Sequence, residues 1–282
     1  MKVLSCFDGM SCGQIAFERA GIPVEKYYAS EIDKYAIQVT QANYPDTVQL
    51  GSITEWQSWN IEKPDIIIGG SPCQGFSFAG KQLNFEDERS KLFFTFVDIL
   101  KHYKPKYFLL ENVKMKKEWK DIISKELGVE PIEINSSLLS AQNRPRLYWT
   151  NIPNVDIPKD KGLLFKDVLN SDYEFKPLTK WFFSKWGDKQ KIDTLKTIEA
   201  EKSFCLTTNK SHSKNYYLTP DKTMARMLEI DEVERLQTIP NGYTNIVSKT
   251  DAHKMIGNGW TVDVIAHIFS SLKEGEIFKF FF

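Results

Sequence analysis

The sequence predicts an α/β fold of the doubly wound, Rossmann-like kind, and three observations carry that prediction. Short β-branched or aromatic runs alternate with helical patterns through the first half of the chain, the order expected of strands joined by crossover helices. Two of those runs stop at glycine-bearing turns, Phe7-Asp8-Gly9 and Gly69-Gly70-Ser71, where such folds present ligand-binding loops. The length, 282 residues, is enough for one large core with a smaller insert.

Taken in order, Val3 to Phe7 reads as a strand and Gln14 to Ala20 as a helix ended by Gly21. Lys26 to Ser30 is a second strand, followed by a helix from Tyr35 to Ala42 that closes before Pro45. Ile66-Ile67-Ile68 is a buried strand running into two glycines. Leu92 to His102 is helical, Tyr107 to Leu110 a buried strand, and Trp119 to Lys125 a helix. Strands are expected around Ile132-Glu133-Ile134 and Leu147-Tyr148-Trp149. Regularity is lost after Pro153, and helical patterning returns at Met224 to Gln237 and Val262 to Leu272. Residues 1–153 therefore read as the first part of a large domain, 154–223 as an insert, and 224–282 as a return to the large domain. The final Phe278-Lys279-Phe280-Phe281-Phe282 suits an edge strand or a tail packed on the core.

Lysine and arginine balance aspartate and glutamate at 37 each, which argues against a uniformly basic nucleic-acid binder. Between Lys176 and Lys222, however, there are ten lysines and no arginine against five acids, a local excess that can hold a phosphate backbone. A solvated lysine face explains the charge equally well. The four cysteines, Cys6, Cys12, Cys73 and Cys205, form no CxxC pair and no disulfide framework, which points to a reducing, cytoplasmic setting. The chain enters a strand directly after Met1-Lys2, so no signal peptide is expected, and no apolar run is long enough for a bilayer. His102, His212, His253 and His267 are isolated from one another and from the cysteines, so no metal is expected.

The residues that carry chemistry follow. Gly69-Gly70-Ser71-Pro72-Cys73-Gln74-Gly75-Phe76-Ser77 puts one cysteine, oriented by a proline, on a loop at a strand end, where a thiolate can act as nucleophile. Phe7-Asp8-Gly9-Met10-Ser11-Cys12-Gly13 joins the first strand to the first helix, and Glu31 ends the second strand at the place of a ribose-gripping acid. A tight turn and a solvated acid explain these two equally well on their own. Glu111-Asn112-Val113 follows another buried strand, and Gln142-Asn143-Arg144-Pro145-Arg146 alternates two arginines, which on a strand would share one face. Arg235-Leu236-Gln237-Thr238-Ile239-Pro240 and Ile256-Gly257-Asn258-Gly259-Trp260-Thr261-Val262 complete the series.

In that order these motifs resemble the DNA cytosine carbon-5 methyltransferases, closest in style to the eukaryotic de novo-like branch and related bacterial and phage enzymes. The resemblance implies a Rossmann-like methyltransferase domain with a mixed sheet, and a small target-recognition region at 154–223. It implies S-adenosyl-L-methionine as cofactor and S-adenosyl-L-homocysteine as product. Phe7, Asp8, Gly9, Gly13, Glu31, Ile32, Ser52, Pro72, Leu92, Asn258 and Trp260 are the implied cofactor residues. Ser52 stands where the family usually has an aspartate for the adenine amino group, and serine can still accept a hydrogen bond.

Cys73 is implied to add to cytosine carbon-6 while Glu111 protonates N3, which makes carbon-5 nucleophilic enough to take the methyl group. Loss of the carbon-5 proton and elimination of the thiol complete turnover. Arg146 is assigned to cytosine O2 and to bracing Glu111, with Arg144 supporting. A base inside a duplex must be flipped out to be reached. Gln74, Ser77, Lys81, Gln82 and Arg89 are expected to close over the DNA, and Asn209, Lys210 and Lys214 to enter its major groove. The partner expected is double-stranded DNA, with no membrane and no metal, for a monomer in a prokaryotic cell or viral host. Alternatives are methylation of a structured RNA such as transfer RNA, or a DNA-binding relative without catalysis. A nicotinamide oxidoreductase would account for Gly9 and Glu31 but leaves Cys73 to Ser77 and Gln142 to Arg146 unexplained.

Overall fold

The computed structural model describes residues 1–72, 88–178, 194–210 and 212–277. The expectation for Phe278 to Phe282 lies outside the described residues. The chain divides into two compact units. The first is Met1–Ile134, Pro145–Pro158 and Val264–Phe282, and the second is Asn135–Arg144 and Lys159–Asp263.

The first unit is built on β1 (Lys2–Cys6), α1 (Cys12–Ala20), β2 (Lys26–Ser30), α2 (Lys34–Asn43), β3 (Val48–Gln49), β4 (Ile66–Gly70), α3 (Glu88–Tyr103), β5 (Tyr107–Val113), α4 (Lys117–Leu127), β6 (Ile132–Asn135) and β7 (Pro145–Thr150). The seven strands form one sheet in the order β3-β2-β1-β4-β5-β7-β6. Pairing is parallel from β3 to β5 and antiparallel between β5 and β7, so the sheet is mixed as expected. Its centre is dry: Val3, Leu4, Ile66, Ile67, Ile68, Leu109 and Leu110 are fully buried. Each such side chain stabilises the fold by about 1.5–3 kcal/mol through burial. Gly21 ends α1 with φ +62, and its N–H closes on the Glu18 carbonyl. Phe17 of α1 stacks on Phe269 with ring centroids 4.1 Å apart.

The second unit holds α5 (Phe165–Val168), β8 (Lys176–Pro177), β9 (Tyr216–Leu218), β10 (Met224–Met227), α6 (Ile230–Leu236) and α7 (Lys249–Asn258), and α8 (Val262–Ile277) begins in it. The three strands form an antiparallel sheet in the order β8-β10-β9. The single helix expected over Met224 to Gln237 is replaced by β10 and α6. Ala225 and Arg226 pair with Leu218 and Tyr217, and the helix cannot start before Glu229, whose N–H donates to Glu232 Oε2 at 3.0 Å. Helix α7, absent from the pattern reading, is capped by Ser248, whose hydroxyl accepts from the Asp251 N–H. No helix among the described residues is long and apolar enough to cross a membrane. Among them, too, no group of three or more His, Cys, Asp or Glu side chains is placed to hold a metal ion.

Candidate active site

Three strand ends meet in the first unit because of the sheet order. Register sets Gly70 of β4 opposite Glu111 of β5, and Val113 of β5 opposite Arg146 of β7. The reversal of β7 carries its first residues to the edge where β4 and β5 end. Arg146 Nε lies 3.0 Å from Glu111 Oε1, and the two side chains are only 13% and 12% exposed. A guanidinium at that distance fixes the direction of the carboxyl group. Arg146 Nη1 also donates to the Pro145 carbonyl at 2.9 Å.

Asn112, between Glu111 and Val113, was given no role by the sequence reading. It is buried, and its Nδ2 donates to Ser71 Oγ at 3.0 Å and to the Ser71 carbonyl at 3.3 Å. The loop that carries the Pro72-Cys73 pair is thus tethered, at its first residue, to the strand that carries Glu111. A polar side chain inside the run Leu109 to Val113 was the signal for such a bond. Pro72 is half-buried, and Leu92 and Phe7 pack on the apolar core beneath. Cys73, Gln74, Ser77, Lys81 and Gln82 lie outside the described residues, and Arg89 falls in the first turn of α3.

The turn from β1 into α1 is unusual in its backbone. Phe7, Gly9 and Ser11 all have positive φ, near 60°, a conformation costly for the two that are not glycine. Hydrogen bonds over-determine it. Asp8 accepts from the Tyr27 hydroxyl at 2.7 Å and from the Ser11 hydroxyl, and Thr40 Oγ1 reaches Ser11 Oγ at 3.1 Å. Burial pushes Asp8 up to about 6, and the nearby Glu31 charge adds to this, while the Ser11, Ser5 and Tyr27 hydroxyls pull it down. Glu31 accepts from the N–H groups of Gly9 and Ile32 at 2.7 Å and of Asp33 at 2.8 Å. A carboxylate has room for about four donors, so an acceptor site remains on a side chain already locked in place. Nothing lies within 4 Å of where a Cβ on Gly9 would sit, and Ile32 beside Glu31 is 77% exposed. Gly13 instead is buried in α1 against Tyr27 and Ile68, where it brings helix and sheet together. Ser52 caps the 3₁₀ turn Ile53–Ser58, accepting from the Thr54 N–H at 3.3 Å.

In the second unit the structure corrects the expectation that Arg144 and Arg146 share a strand face. Strand β7 begins at Pro145, after Arg144. Arg144 is 4% exposed, and its guanidinium is spent on backbone. It donates to the carbonyls of Leu206 at 3.3 Å, Gly257 at 3.0 Å and Gly259 at 2.9 Å, and to Cys205 Sγ at 3.4 Å. Around it the other motifs interlock. Gln142 donates to the Leu236 carbonyl and to Gln237 Oε1, and accepts from the Leu206 N–H. Gln237 donates to the carbonyls of Ile256 and Gly259 and accepts from Thr261. Asn258 is exposed at the end of α7 and Trp260 is half-buried just beyond it. Asn209 and Lys214 are exposed and Lys210 half-buried, on the segment from Thr207 to Asn215.

Comparison with known proteins agrees along almost the whole chain. Residues 1–156 and 159–274 match the family model for C-5 cytosine-specific DNA methylase. The Type II methyltransferase M.NlaX of Neisseria lactamica is 30% identical over 301 residues, covering 96% of each chain. The Type II methyltransferase M.NgoBV of Neisseria gonorrhoeae is 36% identical over 197 residues, 61% of this chain and 47% of that one. The orphan methyltransferase M.Rho11sI of Bacillus phage rho11s is 30% identical over 87% of this chain and 51% of its own length. The chain thus spans about half the length of these last two relatives. Among solved structures, the Dnmt2 methyltransferase of S. pombe has the same fold, with a TM-score of 0.71 at 16% identity, covering 98% of this chain and 99% of that one.

Proposed function

The chain belongs to the C-5 cytosine-specific DNA methylases, an enzyme family, and from that membership we propose that it methylates carbon-5 of cytosine in double-stranded DNA. The observation that carries the reading is the junction of three motifs at one sheet edge: Glu111 held by Arg146, and the root of the Cys73 loop held by Asn112.

The cofactor is S-adenosyl-L-methionine, which supplies an electrophilic methyl group on a sulfonium. The residues present fit it. Glu31 keeps an acceptor site for a ribose hydroxyl, Gly9 leaves the backbone approachable, and Ile32 offers an apolar surface to a flat ring. Phe7, Asp8 and Gly13 shape the turn, with Ser52, Pro72, Leu92, Asn258 and Trp260 as further contacts drawn from the family motifs.

Cytosine carbon-6 accepts a nucleophile only when N3 is protonated or strongly hydrogen-bonded. Glu111 does this as the acid, and Arg146 both orients it and binds the base at O2. The Cys73 thiolate adds to carbon-6 and so places an electron pair at carbon-5; the bound cofactor would supply the methyl group there, its methyl–sulfur bond breaking with the electron pair left on sulfur. A base then removes the carbon-5 proton, the double bond re-forms, and Cys73 leaves as thiolate. Arg144 contributes from outside the reacting atoms by clamping backbone. Asn209, Lys210 and Lys214 contact the duplex, in a short sequence context, together with Gln74, Ser77, Lys81, Gln82 and Arg89 from the Cys73 loop.

The test is transfer of radiolabelled methyl from the cofactor to duplex DNA or to transfer RNA, with Cys73→Ala in parallel. Label at cytosine carbon-5 of DNA, abolished in the variant, is the expected result. Label in RNA alone would replace the substrate, and full activity in the variant would remove Cys73 from the mechanism.

A further inference from the structure

His253 is a solitary histidine in sequence, and the site just described does not use it. It lies on the first half of α7, with no exposed surface, and faces a second fully buried polar residue, Asn215. The amide nitrogen of Asn215 is 3.0 Å from His253 Nε2, and it also donates to the backbone carbonyls of Asn209 at 2.9 Å and Lys210 at 3.2 Å. Those two carbonyls settle which end of the amide faces them, because an amide oxygen there would oppose two oxygens. Nε2 of the histidine must then accept, which leaves its proton on Nδ1. Burial holds the ring neutral, pushed down to about 4, with the Lys210 charge adding to that and a hydrogen bond to the Thr207 backbone opposing it.

Further bonds close the same segment. The His212 N–H donates to the Asn209 carbonyl, the Asn215 N–H to the His212 carbonyl, and the Leu228 N–H to the Asn215 carbonyl. One turn beyond His253, on the same helix face, Gly257 abuts the segment's start. A Cβ there would lie 2.5 Å from the Thr207 oxygen and 3.0 Å from the Thr208 nitrogen. Arg144 secures the carbonyl of Leu206, the residue before. The segment that exposes Thr208, Asn209 and Lys214 therefore rests on a floor made by α7 and is held from inside by one amide.

We propose that Asn215 and His253 are specificity-positioning residues: a buried latch that fixes the backbone at Asn209 and Lys210, and through it which base pairs those side chains can read. The proposal rests on the reading of this segment as the DNA-contacting loop. It distinguishes shape from stability, because carbonyls so close to the surface can turn to water when the latch is removed. Base-edge contacts tolerate no such shift, since each mismatch is discriminated by only about 1–3 kcal/mol.

The experiment methylates a pool of randomised duplexes and reads the modified sites by bisulfite sequencing. Wild type, N209A, N215A, H253A and H253Q are compared, with melting curves and with kcat and KM for one good duplex. The latch predicts that N215A and H253A raise methylation at single-mismatch sites about tenfold relative to the preferred site. It predicts a higher KM for DNA, an unchanged KM for the cofactor, and a kcat within about twofold of wild type. H253Q, whose amide oxygen can reach the place of Nε2 and keep an acceptor there, should restore most of the discrimination. Should N215A fail to fold, the H253A and H253Q pair decides alone. A wild-type site profile in folded N215A or H253A, with N209A altered, overturns the latch. A wild-type profile in N209A as well locates the failure in the reading of the loop.

Discussion

The two units bury different things. In the first, the described side chains removed from water are mostly apolar layers on a mostly parallel sheet, with small hydroxyls and amides such as Ser5, Ser30 and Asn112 among them. In the second, Arg144, Arg226, Glu232 and Glu234 are each less than a tenth exposed, alongside Gln142, Gln237, Asn215 and His253. Most of these grip backbone outside their own helix or strand. Glu234, for example, accepts from the N–H groups of Gly242 and Thr244 and from the Thr244 hydroxyl. The first unit is specified mainly by which residues avoid water; the second adds to an apolar core of its own, Phe165, Tyr217, Val233 and Ile256 among it, a set of claimed carbonyls and N–H groups. The difference matters because a polar core tolerates few substitutions yet defines a unique loop geometry.

Breaking the buried pair of the second unit should have the largest effect. Arg226 meets Glu232 through two bonds of 2.7 Å, and Glu232 has no exposed surface. E232A leaves a guanidinium buried without its partner and should cost about 4 kcal/mol in urea denaturation. The double replacement R226M/E232L should recover most of that loss. A cost below about 1 kcal/mol for E232A would erase the contrast between the units.

Asp8, one of the carboxylates held in the first unit, sharpens it. Its folded pKa of about 6 lies above the ordinary value of 3.8, so the folded chain holds the proton where the unfolded chain has released it. Its stabilising share is complete below pH 3.8 and is lost as pH rises through 6. Relative to D8N, wild type should therefore lose at most about 3 kcal/mol between pH 4 and 6.5. Parallel stability curves for the two proteins would refute this.

Gly257 gives a third measure. Because the obstacle is the Thr207 backbone rather than a flexible side chain, G257A should lower stability by about 2 kcal/mol, read from thermal melting. The smallest effect belongs to the sheet. I67V removes one methylene from a fully buried strand position and should cost about 1 kcal/mol.

The same contrast explains what could be read before the fold was known. Strands β1, β4 and β5 announce themselves as apolar runs, and Glu111 and Arg146 are legible because each sits in a compact motif at a strand end. Arg144 belongs to the same motif, but its partners at Gly257 and Gly259 are 113 and 115 residues away, and no local pattern reports such a bond. Strand β10 was hidden for a similar reason: its residues have helical periodicity, and pairing with Tyr216–Leu218 on one side and Lys176–Pro177 on the other overrides it. Ser52 was legible as a position but not in its local use, which is to cap a turn.

The reversal of β7 also limits how this gene can drift. Arg146 reaches Glu111 because it stands opposite Val113 in an antiparallel ladder, while Arg144, two positions earlier, is committed to carbonyls elsewhere. A single codon gained or lost between Asn143 and Leu147 would exchange the strand's two faces and present a different side chain to the glutamate. Letters in this stretch can change one at a time and be compensated by neighbours, but its length cannot.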